Sequence, residues 1–155
     1  MDAHPTHEDL CRFLDAQAPF VKAMGISCEE SRPGYAVARW RHDRRWLRPG
    51  GYLFGGGLMT LADVALYMAI LSQIGLKAMA VTSELKMNFL RPAVGGDVLA
   101  RGRVIKIGRR LAYGEIHLVM ADGRERLIAH ATSSYALPEP EESSTTPPDA
   151  APVEY

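Results

Sequence analysis

The sequence predicts an α+β protein in which one long buried helix is wrapped by a curved antiparallel sheet. Residues 58–71 are mostly Leu, Met, Ala, Val and Ile with no Gly or Pro, and a helix that is apolar on nearly every side must be covered on more than one of them. A period-two strand follows at 81–89, and three further strands joined by short turns come after it. The 155 residues suit one domain with a single core.

The chain before this helix predicts a short helix and a pair of strands. Thr6 precedes His-Glu-Asp, which favours a helix over about residues 7–17 that Pro19 ends. Residues 26–41 alternate loosely around an Arg-Pro-Gly turn and predict strand, turn, strand. Five arginines with two tryptophans among them occupy 39–48, and this pattern indicates either a phosphate-binding loop or a solvated face.

The strands after the helix predict an antiparallel meander. At 81–89 the apolar residues 81, 85, 87 and 89 fall on one face, and the polar residues 82, 84, 86 and 88 fall on the other. Strands follow at about 97–107, 111–121 and 126–136. Their links, Gly-Arg-Arg and a loop with Asp-Gly, are typical of hairpins. A small sheet of this kind leaves edges open, which favours a dimer.

The end of the chain differs in composition from the rest. Residues 138–155 hold five acidic groups, five prolines and no Lys or Arg, so we expect a disordered acidic tail after one domain at 1–137. That domain has 18 basic against 13 acidic side chains. A mildly positive body suits a small ligand with phosphates and does not suit nucleic acid, which requires a strongly basic face.

Cysteine and histidine usage indicates neither a disulfide framework nor a metal site. Cys11 and Cys28 are the two cysteines, and the five histidines are scattered without a His/Cys cluster. The N-terminus lacks an apolar signal core, and the apolar run is shorter than the about 20 residues that a membrane span needs. We therefore expect a cytoplasmic location, no membrane association, no metal and no cofactor.

A polar stripe on the buried helix is the sharpest indication of a functional site. Thr60, Asp63 and Tyr67 are spaced i, i+3 and i+7 and so share one face, and a carboxylate in apolar surroundings requires a partner or a role. The glycines at 55–57 leave N–H groups free at a helix start, where they favour a negative oxygen. Amides and a carboxylate together suit polarising a carbonyl and activating water. The spacing alone also allows a structural buried Asp behind a flexible glycine turn.

Two stretches match motifs of a known family. Residues 54–63 read Phe-Gly-Gly-Gly-Leu-Met-Thr-Leu-Ala-Asp, and the strand at 81–92 ends in Phe-Leu-Arg-Pro. With the hairpin at 107–114, they resemble the hotdog-fold acyl-CoA thioesterases, in particular the PaaI-like (phenylacetate-pathway) branch, whose helix motif is His-Gly-Gly-x-x-x-x-Leu-x-Asp. The resemblance spans about residues 20–137. It implies a hotdog fold and hydrolysis of a small or medium acyl-CoA, aromatic ones included.

The resemblance also implies roles for particular residues. Asp63 corresponds to the family's general base or nucleophile, and Gly55 to the glycine whose amide polarises the thioester carbonyl. Thr82 corresponds to a Ser or Thr that reaches in from the second subunit to hold the attacking water. Family sites are built across a dimer, so we expect a homodimer or a dimer of dimers. Acyl-CoA is then the partner, with coenzyme A as part of the substrate.

Two residues depart from the family pattern. Phe54 stands in place of the His and makes no hydrogen bond. Arg48 stands where relatives often carry Asn or Gln; pointing inward, it would either pair with Asp63 and weaken that base, or help to polarise the carbonyl. Both departures favour the alternative that the protein binds an acyl-CoA or another small ligand without cleaving it. The predicted substrate-binding residues are Arg48, Phe54, Gly56, Tyr67, Arg91, Arg109 and Arg110, of which the last three are candidates for the phosphates of coenzyme A.

Overall fold

A six-stranded antiparallel sheet wrapped around one long helix forms the protein. The computed structural model describes residues 4–139, so the predicted tail lies outside the described residues from position 140 onward. The helices are α1 His7–Gln17, α2 Pro19–Ala23 and α3 Gly55–Ile74. The strands are β1 Ile26–Arg32, β2 Tyr35–Trp40, β3 Leu47–Arg48, β4 Tyr52–Leu53, β5 Val81–Phe89, β6 Val98–Ile107, β7 Leu111–Met120 and β8 Leu127–Ala136.

The sheet order places β5 at one edge. The six strands run β1-β2-β6-β7-β8-β5, all neighbours antiparallel, while β3 and β4 form a separate two-stranded sheet. This architecture is the hotdog fold, and it confirms the predicted fold class. The predicted strands and the helix capped by Thr6 lie within a few residues of the observed elements.

Helix α3 is the core of the protein, and it begins earlier than the sequence predicted. The three glycines form its first turn, so they are not a turn before it. The resulting 20 residues make α3 the one helix, among those described, long and apolar enough to cross a membrane. The prediction that its length excludes a membrane span was therefore wrong. In the structure 67% of its most apolar window is buried inside the fold, as in a core helix.

Small residues let the sheet approach the helix closely. A Cβ added at Gly102 of β6 would lie 2.7 Å from the carbonyl oxygen of Ala65 on α3. Gly114 of β7 faces the side chain of Leu66 just as tightly. Backbone atoms cannot move aside as a side-chain tip can, so the curvature of the sheet around α3 depends on glycine at this point.

Replacing Gly102 by Ala should destabilise the fold, because the added methyl group must push α3 away from β6. We expect Gly102→Ala to lower the free energy of unfolding, measured by urea titration, by about 1–3 kcal/mol. Gly96→Ala is the matched control. Its Cβ would meet only the Met120 methyl group at 3.6 Å, and it should change stability by less than about 0.5 kcal/mol. Equal stabilities for the two variants would contradict this account.

Candidate active site

Asp63 lies in the wall of a cavity of about 290 Å³ between α3, β5 and β8. It is half-buried, and Thr82 Oγ1 donates a hydrogen bond of 2.7 Å to its Oδ1. The hydroxyl of Tyr135 donates to the same oxygen and also lies 3.0 Å from the Asp63 carbonyl oxygen. Among the described residues no cationic side chain pairs with Asp63, and no protein group donates to its Oδ2. The carboxylate is thus held by neutral donors, with one oxygen free.

A β-bulge brings Thr82 to this position. Thr82 pairs with Tyr135 and Leu85 with Ser133, and the register shifts between Thr82 and Glu84. Ser83 is the extra residue, so Thr82 faces the helix on the same side as Leu85. The regular alternation predicted for this strand, with residue 82 opposite residue 85, was therefore wrong. Within the chain Thr82 contacts Asp63 itself, and its expected role in holding the attacking water stays a prediction.

Tyr135 is a site residue that the sequence analysis missed. Ala129, Ala131 and Ser133 precede it on the buried face of β8, and it is the one large polar side chain in that row. Burial, together with the negative charge of Asp63, raises the pKa of Tyr135 above its ordinary value. The phenol therefore keeps its proton and remains a donor. A tyrosine at an inward strand position was the available signal, since a buried hydroxyl requires a partner.

Two of the three residues of the predicted polar stripe face the cavity. Tyr67 lines it, and its ring stacks on Tyr135 with centroids 5.9 Å apart. Its hydroxyl donates to the carbonyl oxygen of Ala78 at 3.2 Å, and burial raises its pKa to about 12. The hydroxyl of Thr60 instead turns back to the helix and donates to the Gly56 carbonyl oxygen at 3.0 Å.

The rest of the cavity wall is apolar and comes largely from the N-terminal helices. Leu14 of α1 and the two α2 residues Phe20 and Val21 line it together with Val64 of α3. An apolar cavity with one carboxylate and few other polar groups is the usual form of a small-molecule site.

A second cavity, of about 400 Å³, opens at the start of α3. Gly55 and Leu58 line it from the helix, Phe89 and Leu90 from the end of β5, and Arg48 and Arg91 from its rim. The N-cap residue, Phe54, provides no side-chain hydrogen bond to the helix start. The first backbone N–H groups therefore remain available at the positive end of the helix dipole.

Gly55 and Asp63 do not meet within one chain. They are eight residues apart on α3, which corresponds to about 12 Å along the helix axis at 1.5 Å per residue. Gly55 and Phe89 line one cavity, whereas Asp63 and Thr82 line the other. Within one chain the amide donors and the carboxylate therefore belong to two separate cavities.

Two of the predicted substrate-binding residues have other roles in the structure. Phe54 packs in an aromatic cluster with Trp40 and Trp46, at centroid distances of 6.0 and 6.1 Å, and lines neither cavity. Arg48 is exposed at the Gly55 cavity and forms no ion pair with Asp63 within the chain.

The other predicted positions are divided between the two ends of the sheet. Gly56 is exposed, and its carbonyl oxygen accepts the Thr60 bond. Arg91 lies at the Gly55 cavity, and its Nη1 donates to the Leu127 carbonyl oxygen at 2.8 Å. Arg109 and Arg110 are in the β6–β7 turn, at the Asp63 end of the sheet. Arg110 pairs with Glu139 at 2.8 Å.

The arginine-rich stretch at 39–48 is partly neutralised by carboxylates of the protein. Arg39 pairs with Glu29 at 2.9 Å and with Asp97 at 3.1 Å, and Arg45 pairs with Asp43 at 2.6 Å. For Arg39 and Arg45 these pairs favour the interpretation of a solvated face over that of a phosphate-binding loop.

Comparison with known proteins identifies the family. The model of the thioesterase superfamily matches residues 50–127, a segment that includes the start of α3, Asp63, Thr82 and β5. The acyl-coenzyme A thioesterase PaaI of Escherichia coli is 35% identical over 99 residues, which cover 63% of this chain and 69% of that protein. SSO1253 of Saccharolobus solfataricus, classed as an esterase by inference, is 32% identical over 114 residues, 74% of each chain.

Solved structures agree with this assignment. The phenylacetic acid degradation protein PaaI from Thermus thermophilus superposes with a TM-score of 0.68 at 28% identity, covering 77% of this chain and 99% of that one. A thioesterase family protein from Silicibacter pomeroyi gives a TM-score of 0.77 at 30% identity, covering 84% and 97%. The chain belongs to the thioesterase superfamily of hotdog proteins, and it is similar to the two PaaI proteins named above.

The raised pKa of Tyr67 predicts how stability depends on alkaline pH. The folded protein keeps this proton up to about pH 12, whereas the unfolded chain loses it near pH 10. This contribution to stability is complete below pH 10 and is lost as the pH rises toward 12. The free energy of unfolding, measured by urea titration at several pH values, should therefore fall less steeply between pH 10 and 12 for Tyr67→Phe than for the wild type. Tyr113→Phe, at an exposed position, should keep the wild-type slope; a shared slope for all three proteins would contradict the prediction.

Proposed function

We propose that the protein hydrolyses small or medium acyl-CoA thioesters, including aromatic ones, with Asp63 as the base that activates water. The observation that carries this proposal is the half-buried carboxylate in an apolar cavity. It is oriented by Thr82 and Tyr135 through one oxygen and leaves the other free. A cationic side chain paired with Asp63 would neutralise its charge in an ion pair. No described residue forms such a pair. This arrangement supports a role for Asp63 in proton transfer.

The proposed reaction uses these groups in order. Oδ2 of Asp63 takes a proton from a water molecule as the water oxygen attacks the thioester carbonyl carbon. The Gly55 amide stabilises the negative charge that develops on the carbonyl oxygen, aided by the dipole of α3. The tetrahedral intermediate then breaks its carbon–sulfur bond. The proton held by Asp63 passes to the departing thiolate, which gives a carboxylic acid and coenzyme A.

The surroundings of the two cavities support the proposed substrate class. Apolar side chains line most of both walls, which suits an acyl group without charge. Arg48 and Arg91 stand at the rim of the Gly55 cavity, where the phosphates of coenzyme A would emerge. Arg109 and Arg110 are second candidates for phosphate contacts, at the Asp63 end of the sheet.

A homodimer would bring the two halves of the site together. Strand β5 is an edge strand with one side paired to β8, and it exposes Val81, Phe89 and the adjoining Leu90 by about half. Long apolar edge strands of this kind are covered in stable proteins. Thr82 lies near the start of β5 and Phe89 at its end. Antiparallel pairing of two β5 strands about a two-fold axis therefore places the Asp63 end of each chain beside the Gly55 end of the other.

Asp63→Asn tests the chemistry directly, because the amide keeps the size of the side chain and cannot accept the proton. We expect kcat to fall by about 100- to 10,000-fold across a panel of aliphatic and aryl acyl-CoAs, measured as released thiol. Asp122→Asn, on an exposed turn, is the matched control and should keep wild-type turnover. Wild-type turnover by Asp63→Asn would remove Asp63 from the mechanism. Tight binding of acyl-CoA without thiol release by the wild type would instead establish the non-catalytic alternative.

Gly55→Pro tests the shared site, because proline removes the N–H group and is compatible with the first position of a helix. Phe54 has φ −73° and ψ 145°, which a residue before proline favours, so the helix start should persist. We expect Gly55→Pro and Asp63→Asn each to be inactive alone. Co-assembled, they should regain activity, since each mixed dimer then has one intact site. Random mixing makes half of the dimers mixed, and each mixed dimer has one of its two sites intact. We therefore expect about a quarter of the wild-type activity.

Gly55→Ala is the matched control for this complementation. It adds the same Cβ, 3.3 Å from the Phe89 ring, but keeps the amide donor, and it should retain much more activity than Gly55→Pro. A mixture of Gly55→Pro and Asp63→Asn that stays inactive, with mixed dimers shown by mass spectrometry, would contradict a site shared between chains.

A further inference from the structure

Three metal-binding side chains meet where α1 packs on β1. His7 and Cys11 lie one turn apart on α1, and Cys28 lies on β1. The imidazole of His7 contacts both thiols: its Nε2 is 3.6 Å from Cys11 Sγ, and its Nδ1 is 3.4 Å from Cys28 Sγ. One ligand atom from each residue lies within 4.8 Å of the other two. None of the three lines the cavity of Asp63.

The expectation from the sequence that the histidines and cysteines form no cluster was wrong. The spacing of His7 and Cys11, four residues apart, places both on one helix face and was visible in the sequence. The third member could not be found in this way, because Cys28 is 17 residues further along and joins the pair only through the packing of α1 on β1.

We propose that His7, Cys11 and Cys28 bind a divalent transition metal, with zinc as the ion that fits best and a water molecule as fourth ligand. Thiolate and imidazole ligands select zinc over magnesium and calcium, which prefer oxygen. His7 is exposed and the two cysteines are half-buried, so the ion has a route from solvent and the fourth position faces water.

The distances suit a tetrahedral ion. With metal–sulfur bonds of about 2.3 Å and metal–nitrogen bonds of about 2.0 Å, a sulfur and a nitrogen ligand lie about 3.6 Å apart. One ring nitrogen of His7 binds the ion. His7 Nε2 is 3.6 Å from Cys11 Sγ, and one ligand atom from each of the three residues lies within 4.8 Å of the others, so side-chain rotations bring all three ligands onto one ion. Ser31 Oγ lies 3.2 Å from His7 Nδ1 and can orient the ring when Nε2 binds the metal.

A second group of potential metal ligands provides an internal control. Glu115, His117 and His130 also lie close together on the outer face of the sheet. Arg103, however, forms an ion pair with Glu115, so a cation there would meet a positive guanidinium group. We therefore expect the same titration to detect metal at the first group and none at the second.

Cobalt(II) titration of the full chain under reducing conditions tests the site, because tetrahedral cobalt with thiolate ligands gives characteristic charge-transfer and d–d absorption bands. We expect saturation at one ion per chain and displacement of the bands by zinc. Cys11→Ser, Cys28→Ser and His7→Ala should each weaken zinc binding by about 100-fold or more, since loss of outer-shell partners alone costs 10- to 100-fold. His130→Ala should bind as the wild type does. Zinc should also raise the Tm of the wild type and of His130→Ala but not that of the three ligand variants.

Three outcomes would overturn the proposal. The first is the absence of thiolate bands in protein whose two thiols are shown to be reduced. The second is zinc affinity that survives in all three ligand variants. The third is a Cys11–Cys28 disulfide that persists under reductant and excludes the metal. His7→Ala changes an exposed residue, so its folding, checked by circular dichroism, keeps the test decisive if a cysteine variant is unstable.

Discussion

The burial of α3 is the constraint on which the rest of the structure depends. A helix this apolar is stable in water only when nearly every side is covered, and one curved sheet has to provide most of that cover. Glycine at 102 and 114 allows the close approach, and the N-terminal helices close the side that the sheet leaves open. Asp63 is held at one of the few openings in this cover. Its half-burial is therefore a result of how the helix is wrapped.

The same packing around α3 determines which groups donate hydrogen bonds to Asp63. A carboxylate among apolar side chains needs hydrogen bonds, and a cation would bind it too firmly for proton transfer. The fold provides two hydroxyl groups instead, from the two neighbouring strands β5 and β8. Tyr135 remains a donor because its surroundings disfavour loss of its proton. The stack of Tyr67 on Tyr135 fixes the ring from the other side.

The fold was largely predictable from the sequence, whereas the site was predictable only in part. An unbroken apolar run identified α3, and alternation with turn signals identified β5 and the meander, because these patterns are local properties of the chain. Asp63 was identifiable as a charge inside an apolar run. Tyr135 and Thr82 were not placed correctly, since one depends on strand pairing and the other on a bulge.

Packing between distant segments explains the remaining errors. The glycines at 55–57 disfavour a helix locally, but Gly57 packs against Trp40 and Phe54 too closely for any side chain, and this contact fixes the first turn. Phe54 was assigned to the ligand because of its place in a motif, and its aromatic neighbours come from β2 and the segment after it. Such contacts between segments leave no local signal in the sequence.

The bulge at Ser83 shows that the number of residues in β5 can matter as much near Asp63 as the identity of each side chain. Ser83 itself contributes only a hydrogen bond from its hydroxyl to the Ser134 carbonyl oxygen, 3.2 Å away, on the side of the sheet remote from Asp63. Many side chains could replace it without moving its neighbours. Its removal would restore an even alternation and turn the hydroxyl of Thr82 toward solvent. Within this strand, natural variation should therefore tolerate substitutions at position 83 far more readily than deletions.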